Sequence, residues 1–340
     1  MQVRTSPGKF PSHSLLALGV AFVFLAGCQD SGKGGQADPI IPTGFDVQAH
    51  RGARGLKPEN TLPAFETALD LEVTTLELDV HYSTDGQVII WHDPVVEPLK
   101  CGLSDDAPDT IPDPDDPVSF GDRGIADLTA QQLTWFQCDR NPEPDRFPDQ
   151  SSSATELAGS DYRIVTLAEL FEFVRVYAIS DEKTDSQRAN AARVNFNIET
   201  KRRPDDPSTI GDGFNGSDAG PFELALLDLV EVYELGDRVV VQSFDHRSLW
   251  SIHKVDSTIR LAALTSDTYA DPADFAANGA SIWSPRFSTL TEQHVSDAHN
   301  AGLAVVPWTV NDTADMAKMI SIGVDGIITD RPDLLLSISS

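Results

Sequence analysis

Positive charge is scarce in this chain. Its 340 residues carry 25 Lys and Arg against 53 Asp and Glu, a formal net charge of −28. A field of that sign repels nucleic acid and anionic lipid surfaces, which argues against DNA or RNA as a substrate or partner. A small anion would need a local cationic patch to be held. Cysteine is almost absent, with three residues, too few for a disulfide-dense scaffold. The one sustained apolar run, residues 15–27, is short for a mature membrane span. No Gly-rich phosphate loop follows the first candidate strand, which argues against a dinucleotide-binding open sheet.

The N-terminus carries an export pattern. Arg4 and Lys9 precede the apolar run, and Leu25-Ala26-Gly27-Cys28 closes it. Residues 1–28 are expected to be a signal peptide with a bacterial lipobox, lipidated at Cys28; an ordinary signal peptide with an incidental cysteine is the alternative. Residues 29–44 form a linker. The protein is thus expected to be exported and to meet a membrane only through this lipid anchor, on the periplasmic or cell-surface side. If Cys28 carries lipid, Cys101 and Cys138 remain as a pair in a disulfide-permissive compartment, although two free buried thiols would also fit.

From residue 45 onward short β-branched runs alternate with helical stretches. Candidate strands cover residues 45–50, 75–81, 194–199, 239–244, 259–264, 282–284, 303–310 and 326–329. A further run at 87–91 follows the turn Ser83-Thr84-Asp85-Gly86. Four residues cannot cross over to a parallel neighbour, so this run must form a hairpin with the second strand. Setting it aside leaves eight strands in βα order, the count of a closed (β/α)₈ barrel. Residues 100–163 interrupt the alternation with 14 acidic and 5 basic side chains and seven prolines. They read as a long acidic insertion over one barrel mouth, with little core of its own and one short helix near 128–136.

The chemistry gathers on strand ends. Glu77 and Asp79 are two apart on one strand and share a face. Glu199 ends another strand, and Lys201 shares its face. Three oxygen-bearing carboxylates suit a hard divalent cation, Ca²⁺ or Mg²⁺, rather than zinc. His50 and Arg51 follow the first strand, and His92 ends the hairpin. A histidine pair can serve as general acid and base, and an arginine fork matches phosphate. His81 and His246 lie close enough in the pattern to reach the same place. Trp308 could wall the pocket. The residue types together point to a metal-dependent phosphodiesterase.

Six segments extend that reading: AHRGARGLKPENTLPAF from Ala49, TTLELDVHYSTDGQVIIWHDP from Thr74, FNIETK from Phe196, VQSFD from Val241, PWTVN from Pro307 and GVDGIITDRPD from Gly323. In order and spacing they resemble the glycerophosphodiester phosphodiesterase family. The resemblance implies a phospholipase-C-like TIM barrel over residues 45–340, insertion 100–163 included. It implies one Ca²⁺ or Mg²⁺ on Glu77, Asp79 and Glu199, a His50–His92 acid/base pair and phosphate contacts from Arg51 and Lys201. Glu59, Phe244 and Trp308 belong to the expected substrate pocket. The implied reaction is hydrolysis of glycerophosphodiesters to glycerol 3-phosphate and an alcohol. A lysophospholipase-D-like or polymer-glycerophosphate activity on the same barrel, or a non-catalytic ligand-binding surface lipoprotein, are the alternatives. Neither the alcohol nor the oligomeric state is written in these motifs.

Overall fold

The computed structural model describes residues 41–121, 123–266 and 271–338. The expected signal peptide, Cys28 and nearly all of the linker lie outside them. No helix among the described residues is long and apolar enough to cross a membrane.

Eight strands run in one parallel order: β1 (Asp46–Ala49), β2 (Thr75–Tyr82), β3 (Asn195–Thr200), β4 (Val239–Ser243), β5 (Arg260–Thr265), β6 (Ile282–Pro285), β7 (Ala304–Val305) and β8 (Gly326–Thr329). β1 pairs with both β2 and β8, and neighbours pair in sequence from β2 to β7. Backbone bonds close the remaining seam. Asp325 donates to the Val305 carbonyl at 2.9 Å, Ile328 to Pro307 at 3.0 Å and Val310 to Ile328 at 3.0 Å. β7 is shorter than the apolar run at 303–310 suggests, because Pro307 has no N–H to give the ladder.

Alternation sorts each strand into two faces. On β2, Leu76, Leu78 and Val80 point outward into the main core between sheet and helices. Thr75, Glu77, Asp79 and His81 take the opposite face and are also buried. Inside the barrel, Val240, Ala262, Ile282, Val306 and Ile328 pack together on the later strands. On the earlier strands the filling is polar: Asn197 donates to Gln48 at 2.7 Å and to Gln242 at 3.0 Å.

The hairpin forms as the turn requires, with Val80 opposite Ile90 and Tyr82 opposite Val88. The insertion leaves from this hairpin and returns to it, since Ile90 pairs on its other edge with Val165. Two helices follow where sequence periodicity is easily overlooked beside the insertion: α2 (Leu167–Tyr177) and α3 (Asp185–Ala191). Thr166 and Glu169 form a capping box at the start of α2, and Leu167, Leu170, Phe171 and Val174 bury its inner stripe.

The insertion is not an unsupported lid. Cys101 and Cys138 form a disulfide, 37 residues apart. Around it Trp91, Ile111, Phe120, Ile125, Leu133 and Phe136 make a small apolar core, contrary to the expectation of little core there. Its short helices are Pro117–Phe120 and Ala130–Leu133. The segment is also tied to the barrel. Glu66, fully buried on α1 (Leu62–Asp70), accepts the N–H of Leu157 and Ala158 and pairs with buried Lys183 at 2.7 Å.

Candidate active site

The site opens at the C-terminal ends of the strands, where barrel chemistry is usually built. A cavity of about 250 Å³ is lined by His50, Arg51, Arg54, Glu77, His92, Glu199, Lys201, Gln242, Phe244 and Trp308, among others.

At its floor, oxygens of Glu77, Asp79 and Glu199 lie within 4.8 Å of one another. β2 and β3 bring them together, with Asp79 directly opposite Glu199 in the ladder. Gln242 donates to one Glu77 oxygen at 2.7 Å, and the Arg51 backbone N–H to the other at 2.9 Å. That second bond requires an unusual turn. Arg51 and Gly52 both take left-handed backbone (φ 53° and 80°). A Cβ on Gly52 would come within 2.7 Å of the Ala64 backbone, so only glycine fits.

Burial, with the charges of Asp79 and Glu199 added, pushes the Glu77 carboxyl well above its usual range. Glu199 is pushed up as well, by burial against the opposing pull of Lys201. Burial also works against ionised Asp79, but Arg51 and Lys201 outweigh it and hold that carboxyl low. Asp79 Oδ1 is buried without a hydrogen-bond partner; Lys201 Nζ stands 3.5 Å away. Three crowded carboxylates and an orphaned oxygen fit a hard divalent cation.

Two histidines flank this cluster, each fixed by a carboxylate. His50 Nδ1 lies 2.5 Å from Asp330 Oδ1, and its Nε2 is 3.9 Å from Glu77. His92 Nδ1 lies 2.7 Å from Asp93. Asp330 pulls the His50 pKa up, but burial wins and lowers it. Burial, helped by Arg51, lowers His92. Each ring thus has its Nδ1 engaged by a carboxylate, and burial disfavours the charged imidazolium in both.

A model of the glycerophosphoryl diester phosphodiesterase family matches residues 50–334. The chain belongs to that family. Membership makes it an enzyme of phosphodiester hydrolysis. It is 27% identical over 294 residues to the glycerophosphodiester phosphodiesterase of Caldanaerobacter subterraneus, covering 86% of this chain and 96% of the relative. It is 28% identical over 296 residues to that of Bacillus altitudinis, covering 86% and 97%. An Oleispira antarctica phosphodiesterase solved with the product sn-glycerol-3-phosphate shares the fold, with a TM-score of 0.62 at 20% identity over 88% of this chain and 96% of that one.

Within this phosphodiesterase fold, the site residues named from sequence do not all share the cavity. Phe244 and Trp308 stand on its wall as a T-shaped pair 5.4 Å apart. Glu59, expected in the substrate pocket, does not line the cavity and sits instead behind Arg51 and Arg54. Both its carboxylate oxygens accept from one Arg51 nitrogen at 3.1 Å, and it also pairs with Arg54 at 2.6 Å and Lys100 at 2.7 Å. Burial opposes its charge, yet these three cations hold its carboxyl far below the usual range. It therefore orients cations. Lys201 leans on Glu199 at 2.7 Å and lines the cavity. His81 lies beneath, with Nε2 3.1 Å from the His92 carbonyl and its pKa pushed down to about 4 by burial. His246 turns away to the Leu264 carbonyl at 2.9 Å and packs on Phe275.

Sequence reasoning missed Asp330, Asp93, Asn60, Gln242 and Arg54. Asn60 donates to Asp79 at 2.9 Å from a left-handed backbone of φ 57°. The signal for Asp93 and Asp330 was present: each sits inside a quoted motif, Asp93 directly after His92 and Asp330 in the last strand's TDRPD.

Proposed function

We propose that the protein hydrolyses glycerophosphodiesters to glycerol 3-phosphate and an alcohol. In this reading Glu77, Asp79 and Glu199 hold one divalent cation, Ca²⁺ or Mg²⁺, while His50 and His92 act as general acid and base. The observation that carries it is the carboxylate triad with its orphaned Asp79 oxygen, set between two carboxylate-oriented histidines on one cavity. The bound cation would supply Lewis-acid neutralisation of the diester's charge. Arg51 and Lys201 add fixed positive charge beside the same oxygens. The Nε2 of one histidine takes the proton of the nucleophile, either water or the substrate's own glycerol hydroxyl. The other histidine, starting in its protonated form, gives its proton to the departing alcohol oxygen and is left neutral. The small volume and charged walls of the cavity favour a water-soluble diester over an acyl-bearing lipid.

The N-terminal 28 residues support an exported, lipid-anchored form, and the Cys101–Cys138 disulfide suits an oxidising compartment.

The test is steady-state turnover of His50→Ala and His92→Ala. Each should lower kcat by roughly 10²–10⁴-fold on a natural diester. A p-nitrophenyl ester, whose leaving group needs no proton, should partly rescue one variant and not the other. Equal losses on both substrates in both variants would overturn the division of roles.

A further inference from the structure

Among the described residues of the insertion, Arg146 is the one on the wall of the cavity. Its neighbours suggest that this placement is built. Its guanidinium lies 4.7 Å from the centre of the Phe147 ring, and the Arg54 guanidinium lies 4.7 Å from the same ring. Glu143 bridges the two, accepting from Arg54 at 3.1 Å and from Arg146 at 3.2 Å. The Phe147 ring and Glu143 thus hold the two guanidiniums of Arg54 and Arg146 together on one wall of the cavity.

The other cations of the site are committed inward. Arg51 is held by Glu59 and Asp79, Arg54 by Glu59 and Glu143, and Lys201 by Glu199. Arg146, paired with Glu143 at 3.2 Å, is the more exposed of the cavity's arginines. Its side chain is 48% exposed and stands 3.5 Å from Asp330, whose oxygens already receive His50 and Asn311. An arginine has five N–H donors, so a fork remains for a ligand. The contacts Arg146–Asp330–His50–Glu77 run outward from the carboxylate triad, putting Arg146 beyond the histidine rather than at the phosphorus.

Resting on the function proposed above, we infer that Arg146 is a specificity-determining residue that binds an anionic group, a carboxylate or a second phosphate, on the substrate's alcohol moiety. A cationic alcohol on that side would face the guanidiniums of Arg54 and Arg146. In a chain of net charge −28, an anionic alcohol also needs such a patch to approach at all.

The experiment compares wild type and R146Q on two matched pairs. Glycerophosphoserine and glycerophosphoethanolamine differ by one carboxylate. Glycerophosphoglycerol with and without a terminal phosphate differ by one phosphate. R146Q should lower kcat/KM for the anionic member of at least one pair by roughly 10- to 100-fold, the scale of a charged hydrogen bond, and change its partner by less than about threefold. Loss in the serine pair alone identifies a carboxylate as the ligand; loss in the glycerol pair alone identifies a phosphate. Equal losses within both pairs, or no loss in either, overturn the inference while leaving the hydrolytic reading intact. A wild type inert on all four diesters overturns that reading and this inference with it.

Discussion

Asp330 does for His50 what Asp93 does for His92, but from inside the barrel wall. It is fully buried, bonded to His50 and Asn311, and approached by Arg146. Burial opposes its charge; His50 and Arg54 overcome this and bring its pKa down to about 2. A carboxyl depressed in the folded state stabilises the fold above its ordinary pKa, and that contribution is lost as pH falls through the folded value. The window here is from about pH 4 down to about pH 2. Asp330→Asn should therefore cost about 2 kcal/mol at pH 7 and progressively less than that in acid, the two denaturation curves converging near pH 2. The same substitution frees the His50 ring and should lower kcat by roughly 10²-fold or more. Urea titrations at neutral and acid pH, with turnover measured alongside, check both effects. A variant with unchanged kcat would remove Asp330 from the orientation of His50.

The elements around the site differ in how plainly the sequence announces them. The β2 and β3 strands could be read directly, because Leu76, Leu78, Val80, Phe196 and Ile198 alternate with the polar residues that build the site. The hairpin followed from a four-residue turn. α2 was equally legible in principle, with Leu167, Leu170, Phe171 and Val174 at helical spacing, but its start adjoins an insertion whose composition masks it. The insertion's own core could not be read from periodicity. Ile111, Phe120, Ile125 and Phe136 come from turns and one-turn helices, and they converge only once the disulfide and the Glu66 anchor fix the path. Replacing both Cys101 and Cys138 by serine should then cost roughly 3–4 kcal/mol in the chain-entropy account of a 37-residue loop. Folded barrel and residual turnover should remain, with KM raised because Lys100 and Arg146 lose their support. An unchanged unfolding midpoint in the double variant would show that the staple adds nothing.

For the whole molecule, closure of the barrel makes the site. The bond between His50 and Asp330 joins residues 280 apart in sequence. It exists only because β8 returns to β1, which is why a sequence reading that named His50 did not find its partner Asp330. The same closure sets an acidic cluster at the floor of a cavity lined by Arg51, Arg54, Arg146 and Lys201, within a chain of net charge −28. Charge is thereby concentrated where an anionic diester and a divalent cation would meet. The most direct measurement of this claim is release of glycerol 3-phosphate from glycerophosphoethanolamine by metal-stripped protein, before and after adding back Mg²⁺ or Ca²⁺. The account predicts no release in EDTA and recovery with one of the two ions. It also predicts that Glu77→Ala, Asp79→Ala and Glu199→Ala stay inactive under both conditions while remaining folded. Full activity in the metal-free wild type would contradict it.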